Sequence, residues 1–309
     1  MLLRSSTLLA GLLFSALVQA QVSDPVIITG TPYTASAPAL VVVPEANIDD
    51  AETAVDALTD SRLGLSSASA LVIDQEDGRL LYAKNTGAVM PIASITKLMT
   101  AIVVLDSGAP LEDTIAVSGE DVDRLKRSSS RLRPGVALSR REMLRLALMA
   151  SENRAASALA RNYPGGTRAF VEAMNQKAKQ LGMRDTHFVD PTGLNPNNVS
   201  TAMDLARMVN AGYGYNLIRD FTTTQSVELA FPHARRIRPV AFRNSNALVR
   251  NGEWDIGLSK TGYISEAGRC LVLKAVIHGR SVVMVLLNSW GKNTRVADAV
   301  RIRRWLESR

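Results

Sequence analysis

The sequence predicts an α+β fold, with one sheet built from strands at both ends of the folded body and helices packed on it. Three observations carry this. Short apolar runs bounded by turn residues occur early, between residues 68 and 83, and again late, between 226 and 288. The stretch between them carries apolar residues at helical spacing. No repeat with a period of about 20 to 50 residues runs along the chain, which argues against a solenoid or propeller.

Ala68 to Asp74 and Arg79 to Ala83 flank Glu76-Asp77-Gly78 and read as a hairpin. Ser94 to Leu105 has helical periodicity and stops at Gly108. Three helix-like segments follow from Arg140 to Leu181, broken near Ser151 and at Pro164-Gly165-Gly166. Thr201 to Ala211 is another helix. Strand-like runs return at Ser226 to Phe231 and Arg235 to Phe242, then at Asp255 to Thr261, Arg269 to Ile277 and Ser281 to Asn288. Thr294 to Glu307 reads as a last helix on the sheet, with Arg301, Arg303 and Arg304 outward.

Ahead of this body lie two segments of different character. Residues 1–20 hold Arg4, an apolar run from Leu8 to Val18 and the small-residue site ending at Ala20, the pattern of a cleavable secretory signal. The run is too short to span a bilayer, so no integral membrane anchor is expected, and the mature protein is expected outside the cytoplasm, in the periplasm. Residues 21–61 form an acidic leader with Pro25, Pro32, Pro38 and Pro44 and no basic residue. The domain proper is expected over 62–309, with 35 basic residues against 22 acidic ones after Ser61. That surplus reads either as a solvated face or as attraction to an anionic wall polymer. Export removes nucleic acid as a partner. Cys270 is the single cysteine, so no disulfide forms within the chain, and its apolar setting reads as a buried small hydrophobe.

Three short motifs occur in order. Ser94-Ile95-Thr96-Lys97 opens a predicted helix, Ser151-Glu152-Asn153 sits at a helix break, and Lys260-Thr261-Gly262 ends a predicted strand. Each alone is weak. A second Ser-x-x-Lys match, Ser289-Trp290-Gly291-Lys292, follows a strand and contains glycine, so it reads as a turn. Residues three apart share a helix face, so Lys97 reaches the Ser94 hydroxyl. A serine hydroxyl becomes a nucleophile when a neighbouring base takes its proton, and a lysine serves as that base once burial or a second cation, here Lys260, lowers its pKa. Ser151 is a candidate proton relay between Lys97 and the leaving amine, and Asn153 a ligand for the substrate amide. A strand edge carrying Lys260 and Thr261 lets a peptide add as a further strand, and Gly262 allows close approach.

The three motifs together resemble the signature of penicillin-binding proteins and class A β-lactamases, with Glu152 where that signature carries aspartate. The segment Pro91-Ile92-Ala93-Ser94-Ile95-Thr96-Lys97-Leu98-Met99-Thr100 resembles the active-serine segment of low-molecular-mass penicillin-binding proteins. Ser151-Glu152-Asn153-Arg154-Ala155-Ala156, Asp190-Pro191-Thr192-Gly193-Leu194-Asn195 and Ala267-Gly268-Arg269-Cys270 resemble their D-alanyl-D-alanine endopeptidase branch. The resemblance implies a penicillin-recognising, β-lactamase/transpeptidase-like fold: an antiparallel sheet flanked by helices, with a helical subdomain over about 109–210. It implies Ser94 as nucleophile, Lys97 as base, and Ser151 and Asn153 as relay and substrate ligand. Lys260 and Thr261 would hold the substrate, the amides of Ser94 and Tyr263 would face the oxyanion, and Arg295 would bind a carboxylate. The implied partners are peptidoglycan peptide stems, with β-lactam antibiotics as covalent inhibitors and a part in cell-wall turnover and cell shape.

A D-alanyl-D-alanine carboxypeptidase is the alternative enzyme. A class A β-lactamase would need Glu-x-x-Leu-Asn, and Pro191 stands where that glutamate would be. A non-hydrolytic penicillin-sensing or wall-binding module is the reading from another class, and the full motif set argues against it. No cofactor is expected. His187, His233 and His278 are isolated in sequence, so metal catalysis is not expected either.

Overall fold

The computed structural model describes residues 63–233 and 236–309; the secretory-signal and leader readings fall outside these residues. Strand β1 (Ser67–Asp74) turns at Gly78 into β2 (Leu80–Lys84). Gly78 takes φ 72°, a left-handed turn position that glycine adopts without strain. Three long strands from the far end of the chain complete the sheet: β9 (Asp255–Ile264), β10 (Gly268–Ile277) and β11 (Arg280–Ser289). The order is β2-β1-β11-β10-β9 with antiparallel pairing throughout, so β1 joins the two ends of the sequence and β9 is an edge.

Both faces of the sheet are covered, which explains why β10 and β11 read as nearly unbroken apolar runs. Successive side chains alternate between two cores. Val272, Val283, Val285 and Leu287 enter the larger one, among the helices. Leu271, Leu273, Met284 and Leu286 face a smaller one closed by Ala299, Ile302 and Leu306 of the C-terminal helix (Thr294–Glu307). Asp298 fixes that helix to the start of β1. Its carboxylate is buried and accepts the Ser67 amide at 2.8 Å, the Ser67 hydroxyl at 2.7 Å and Arg301 at 2.8 Å. Arg301 and Arg303 are partly exposed, as expected.

On the other face, helix α1 (Lys97–Asp106) runs through the large core with every residue from Lys97 to Val104 buried. A helix apolar all round belongs in an interior, and α1 is packed by α2 (Arg140–Met149), α3 (Asn153–Arg161), α4 (Gly166–Gln180) and α5 (Ala202–Tyr213). No helix among the described residues is long and apolar enough to cross a membrane.

Two expectations need correction. Among the described residues the sheet takes five strands, and β7 (Ser226–His233) and β8 (Arg236–Arg243) pair only with each other, as a separate hairpin. Strand propensity alone does not say which partner a strand finds. Ser94 also does not begin an α-helix. It sits in a 3₁₀ turn, Ala93–Thr96, and the α-helix starts at Lys97. Sequence reading missed α6 (Asn216–Thr223), the short helix Ala247–Asn251 and two small ladders, β3 (Met90–Pro91) with β6 (Val199–Ser200) and β4 (Thr114–Ala116) with β5 (Ala137–Ser139). Pieces of two or three paired residues carry no detectable period.

Candidate active site

The three motifs converge between α1, the α2–α3 link and edge strand β9. Ala93, just before Ser94, has φ 48°, and Ser151 has φ 61°. Residues other than glycine rarely hold left-handed backbone, and such strain gathers at functional sites. At Ser151 the turn breaks the helix, as expected, and separates the faces presented by Ser151 and Glu152.

Lys97 lies at the centre and is fully buried. Its Nζ lies 2.8 Å from Ser94 Oγ, 2.7 Å from Asn153 Oδ1 and 2.6 Å from the Thr192 carbonyl. These are three acceptors for an ammonium; when one proton leaves, the freed lone pair is available to the Ser94 hydroxyl. Burial brings the Lys97 pKa down to about 7, against the opposing pull of Asp190 and then Glu152. Near neutrality the lysine therefore divides between donor and base.

Lys260 is also buried. Its Nζ donates to Ser151 Oγ at 2.8 Å and to the Thr261 carbonyl at 2.9 Å. Its pKa is held well below the ordinary lysine value, by burial first and then by Lys97 and Arg295. Sequence reasoning gave Lys260 the task of lowering Lys97. Burial is the other cause the sequence offers, and at Lys97 it is the main one; Ser151 engages Lys260 while Lys97 engages Asn153.

Asn153 spends its amide twice. Oδ1 accepts from Lys97, and Nδ2 donates to Ser128 Oγ at 2.9 Å, which leaves one N–H for a further partner. Thr261 Oγ1 meets Ser245 Oγ at 2.7 Å. Gly262 packs against the serine turn: a Cβ there would lie 2.9 Å from the Ile92 carbonyl and 3.1 Å from the Ser94 amide nitrogen. Among the described residues, the outer edge of β9 at Lys260 to Gly262 has no strand partner. Beyond it Tyr263 is 56% exposed, with the Arg269 guanidinium 4.5 Å from its ring centre. Arg295 reaches the same strand from behind. Its Nη1 donates to the Gly262 carbonyl at 2.8 Å, so here it braces β9 rather than standing open to a carboxylate.

Ser289, the decoy match, ends β11 with its hydroxyl on Thr294 Oγ1 at 2.7 Å, in the turn expected of it. Cys270 is buried and its thiol pKa is pushed up to about 11 by that burial.

Sequence reasoning missed what supports these groups. Asp190 Oδ1 accepts the amides of Thr192 and Gly193 at 2.6 and 2.8 Å, and Oδ2 the Asn195 amide at 2.9 Å, which folds the loop whose Thr192 carbonyl holds Lys97. The Pro191 carbonyl accepts the Thr100 hydroxyl at 2.6 Å. Asn198 ties loop to turn through Thr96 Oγ1 at 3.0 Å. The quoted Asp190 to Asn195 segment flagged this loop, but backbone carbonyls leave no trace in a sequence.

The chain is similar to known proteins over most of its length. A family model described as D-alanyl-D-alanine carboxypeptidase matches residues 56–291. A D-alanyl-D-alanine endopeptidase of Pseudomonas aeruginosa is 51% identical over 79% of this chain and 78% of its own. One from Escherichia coli K12 is 45% identical over 87% of this chain and 86% of its own. Among solved structures, the Streptomyces K15 DD-transpeptidase superposes with a TM-score of 0.72 at 28% identity, covering 78% of this chain and 97% of that one.

Proposed function

We propose that this chain, which belongs to the D-alanyl-D-alanine carboxypeptidase family of serine peptidases, cleaves the peptide cross-links of peptidoglycan through an acyl-enzyme on Ser94. It is a serine-type D-alanyl-D-alanine peptidase with a penicillin-recognising fold. The observation that carries the acyl-enzyme is the fully buried Lys97 Nζ, 2.8 Å from Ser94 Oγ and with its pKa brought to about 7.

Neutral Lys97 takes the Ser94 proton as Oγ attacks the carbonyl carbon of the scissile D-alanyl bond. The amides of Ser94 and Tyr263 face the developing oxyanion. Ser151, hydrogen-bonded to Lys260, gives its hydroxyl proton to the leaving amine and takes one in return from the Lys97 ammonium, which restores Lys97 as a base. The C–N bond breaks, leaving the ester on Ser94, and water then hydrolyses it with Lys97 again as base. The substrate lies along the free edge of β9, with Thr261 and Lys260 toward its carboxylate end and the spare Asn153 N–H on its amide carbonyl. A β-lactam acylates the same serine. Arg295 braces β9 from behind and contributes positive charge there, which bears on Lys260.

Two features support a cross-linked substrate over a free pentapeptide end. Both relatives named above are endopeptidases, and Ser151-Glu152-Asn153 resembles that branch. Chromatography of purified peptidoglycan digested by the protein tests this. Dimeric muropeptides should become monomers, with kcat/KM on a purified dimer exceeding that on a monomeric pentapeptide. Preferential conversion of pentapeptides to tetrapeptides would make the protein a carboxypeptidase.

Labelling with penicillin should place one adduct on Ser94, read by peptide mapping. An adduct on Ser289, or one that survives Ser94→Ala, would overturn the assignment. Residues 1–20 support export to the periplasm, which N-terminal sequencing of protein from the periplasmic fraction checks: the mature chain should begin at Gln21.

A further inference from the structure

Glu152 stands between two residues of the site, yet its contacts all run the other way. Its side chain is buried. Oε2 accepts the Ser130 hydroxyl at 2.7 Å and Oε1 the Arg131 amide at 3.4 Å. Ser130 Oγ in turn accepts the Leu132 amide at 3.0 Å. The neighbouring Asn153 holds the same segment two residues earlier, through Nδ2 on Ser128 Oγ. Asp123 shapes the approach by accepting the Leu125, Lys126 and Ser128 amides. On the far side Arg131 donates to the Ala241 carbonyl and lies 5.6 Å from the Phe242 ring centre. Segment 128–131 is thus strung between the α2–α3 link and β8, and it fixes one of the two hydrogen bonds that orient Asn153.

We propose that Glu152 is a positioning residue: by fastening Ser130 and Arg131 it sets Ser128 against Asn153, and so fixes where the Asn153 amide stands between Lys97 and an incoming peptide. This rests on the reading of Ser94 and Lys97 as the acylating pair. A carboxylate suits the place because it accepts from a hydroxyl and an amide at once, the 2.7 Å contact with Ser130 being the main tie and the 3.4 Å contact with Arg131 the lesser. Its charge has a second effect. The charged groups facing Lys97 are Asp190, Glu152 and, from β9, Lys260; Asp190 and Glu152 raise the proton affinity of Lys97 against the effect of burial, and Lys97 in turn lowers that of Lys260. Position and charge can be separated by substitution.

The test is the rate of Ser94 acylation by a β-lactam as a function of pH, for wild type, Glu152→Gln, Glu152→Ala and Ser130→Ala. The wild-type rate should rise through neutrality as Lys97 loses its proton. If it does not, the acylation reading fails before Glu152 enters. Glu152→Gln keeps an acceptor for Ser130 and removes the charge, so its acid limb should move to lower pH with the plateau retained. Ser130→Ala keeps the charge and removes the tie, so its limb should stay while the plateau falls on the order of tenfold, the cost of a misplaced substrate-orienting group. Glu152→Ala should show both effects. An unmoved limb in Glu152→Gln, or a wild-type plateau in Ser130→Ala, would overturn the proposal. Those two variants decide it even if Glu152→Ala does not fold.

Discussion

Replacing Lys97 by alanine should lower the rate of Ser94 acylation by roughly 10² to 10⁴, the usual contribution of a positioned general base. The expectation follows from position more than from residue type: Nζ touches Ser94 Oγ, and no other buried amine does so among the described residues. The wild-type pH profile should carry the same signature. The base form of Lys97 is populated above its pKa of about 7, so acylation should be slow in acid and rise through neutrality. Stability should follow a related course. A lysine whose pKa falls from 10.5 unfolded to about 7 folded leaves the unfolded state binding more protons between those values, so its burial costs least at high pH and stability from this group rises across that window. Lys260→Ala should behave differently. Its amine lies on Ser151 and Thr261, so the larger effect is expected in substrate capture, with any loss of rate coming through Ser151. Stopped-flow acylation of the two variants separates these roles. Near wild-type acylation by Lys97→Ala would place the base elsewhere.

The second large effect is expected from a residue with no side chain. Gly193 has φ 78°, and a Cβ there would lie 1.9 Å from the Ala93 carbonyl oxygen and 2.8 Å from Thr96 Oγ1. The obstructing atom is backbone and belongs to the turn that carries Ser94, so it cannot swing aside. Gly193→Ala must push apart the 190–195 loop and the serine turn, which separates the Thr192 carbonyl from Lys97. Left-handed backbone at a non-glycine residue costs about 1 to 3 kcal/mol before any clash, and a shift of about 1 Å at a reacting group costs about 10²-fold in rate. The variant should melt at a lower temperature and acylate at least that much more slowly. Gly64→Ala is the control. Gly64 also has positive φ, 53°, but has open space around its Cβ position, so it should lose some stability and keep its rate. Wild-type acylation by Gly193→Ala would mean that the loop and turn move independently.

Much of this was legible in the chain. The hairpin β1–β2, helices α1 to α5 and strands β9 to β11 were set by local period and turn chemistry, because each buries a face or stripe longer than the local noise. The order of Ser94-x-x-Lys97, Ser151-x-Asn153 and Lys260-Thr261-Gly262, each on a distinct kind of element, was enough to gather the site residues and reject Ser289. The sequence also determined that Gly262 and Gly193 are glycines, though not what each must clear. Tertiary structure alone decided the rest. It chose β1 and β11 as the join between chain ends and left β7–β8 outside the sheet, since pairing depends on which edges packing leaves free. It directed Lys97 to Asn153 and the Thr192 carbonyl, Lys260 to Ser151, and Glu152 to Ser130, since a long flexible side chain has many reachable partners and only burial selects one. And it brought Lys97 to about 7, because a pKa responds to the water excluded around a group, which residues far apart in sequence exclude together.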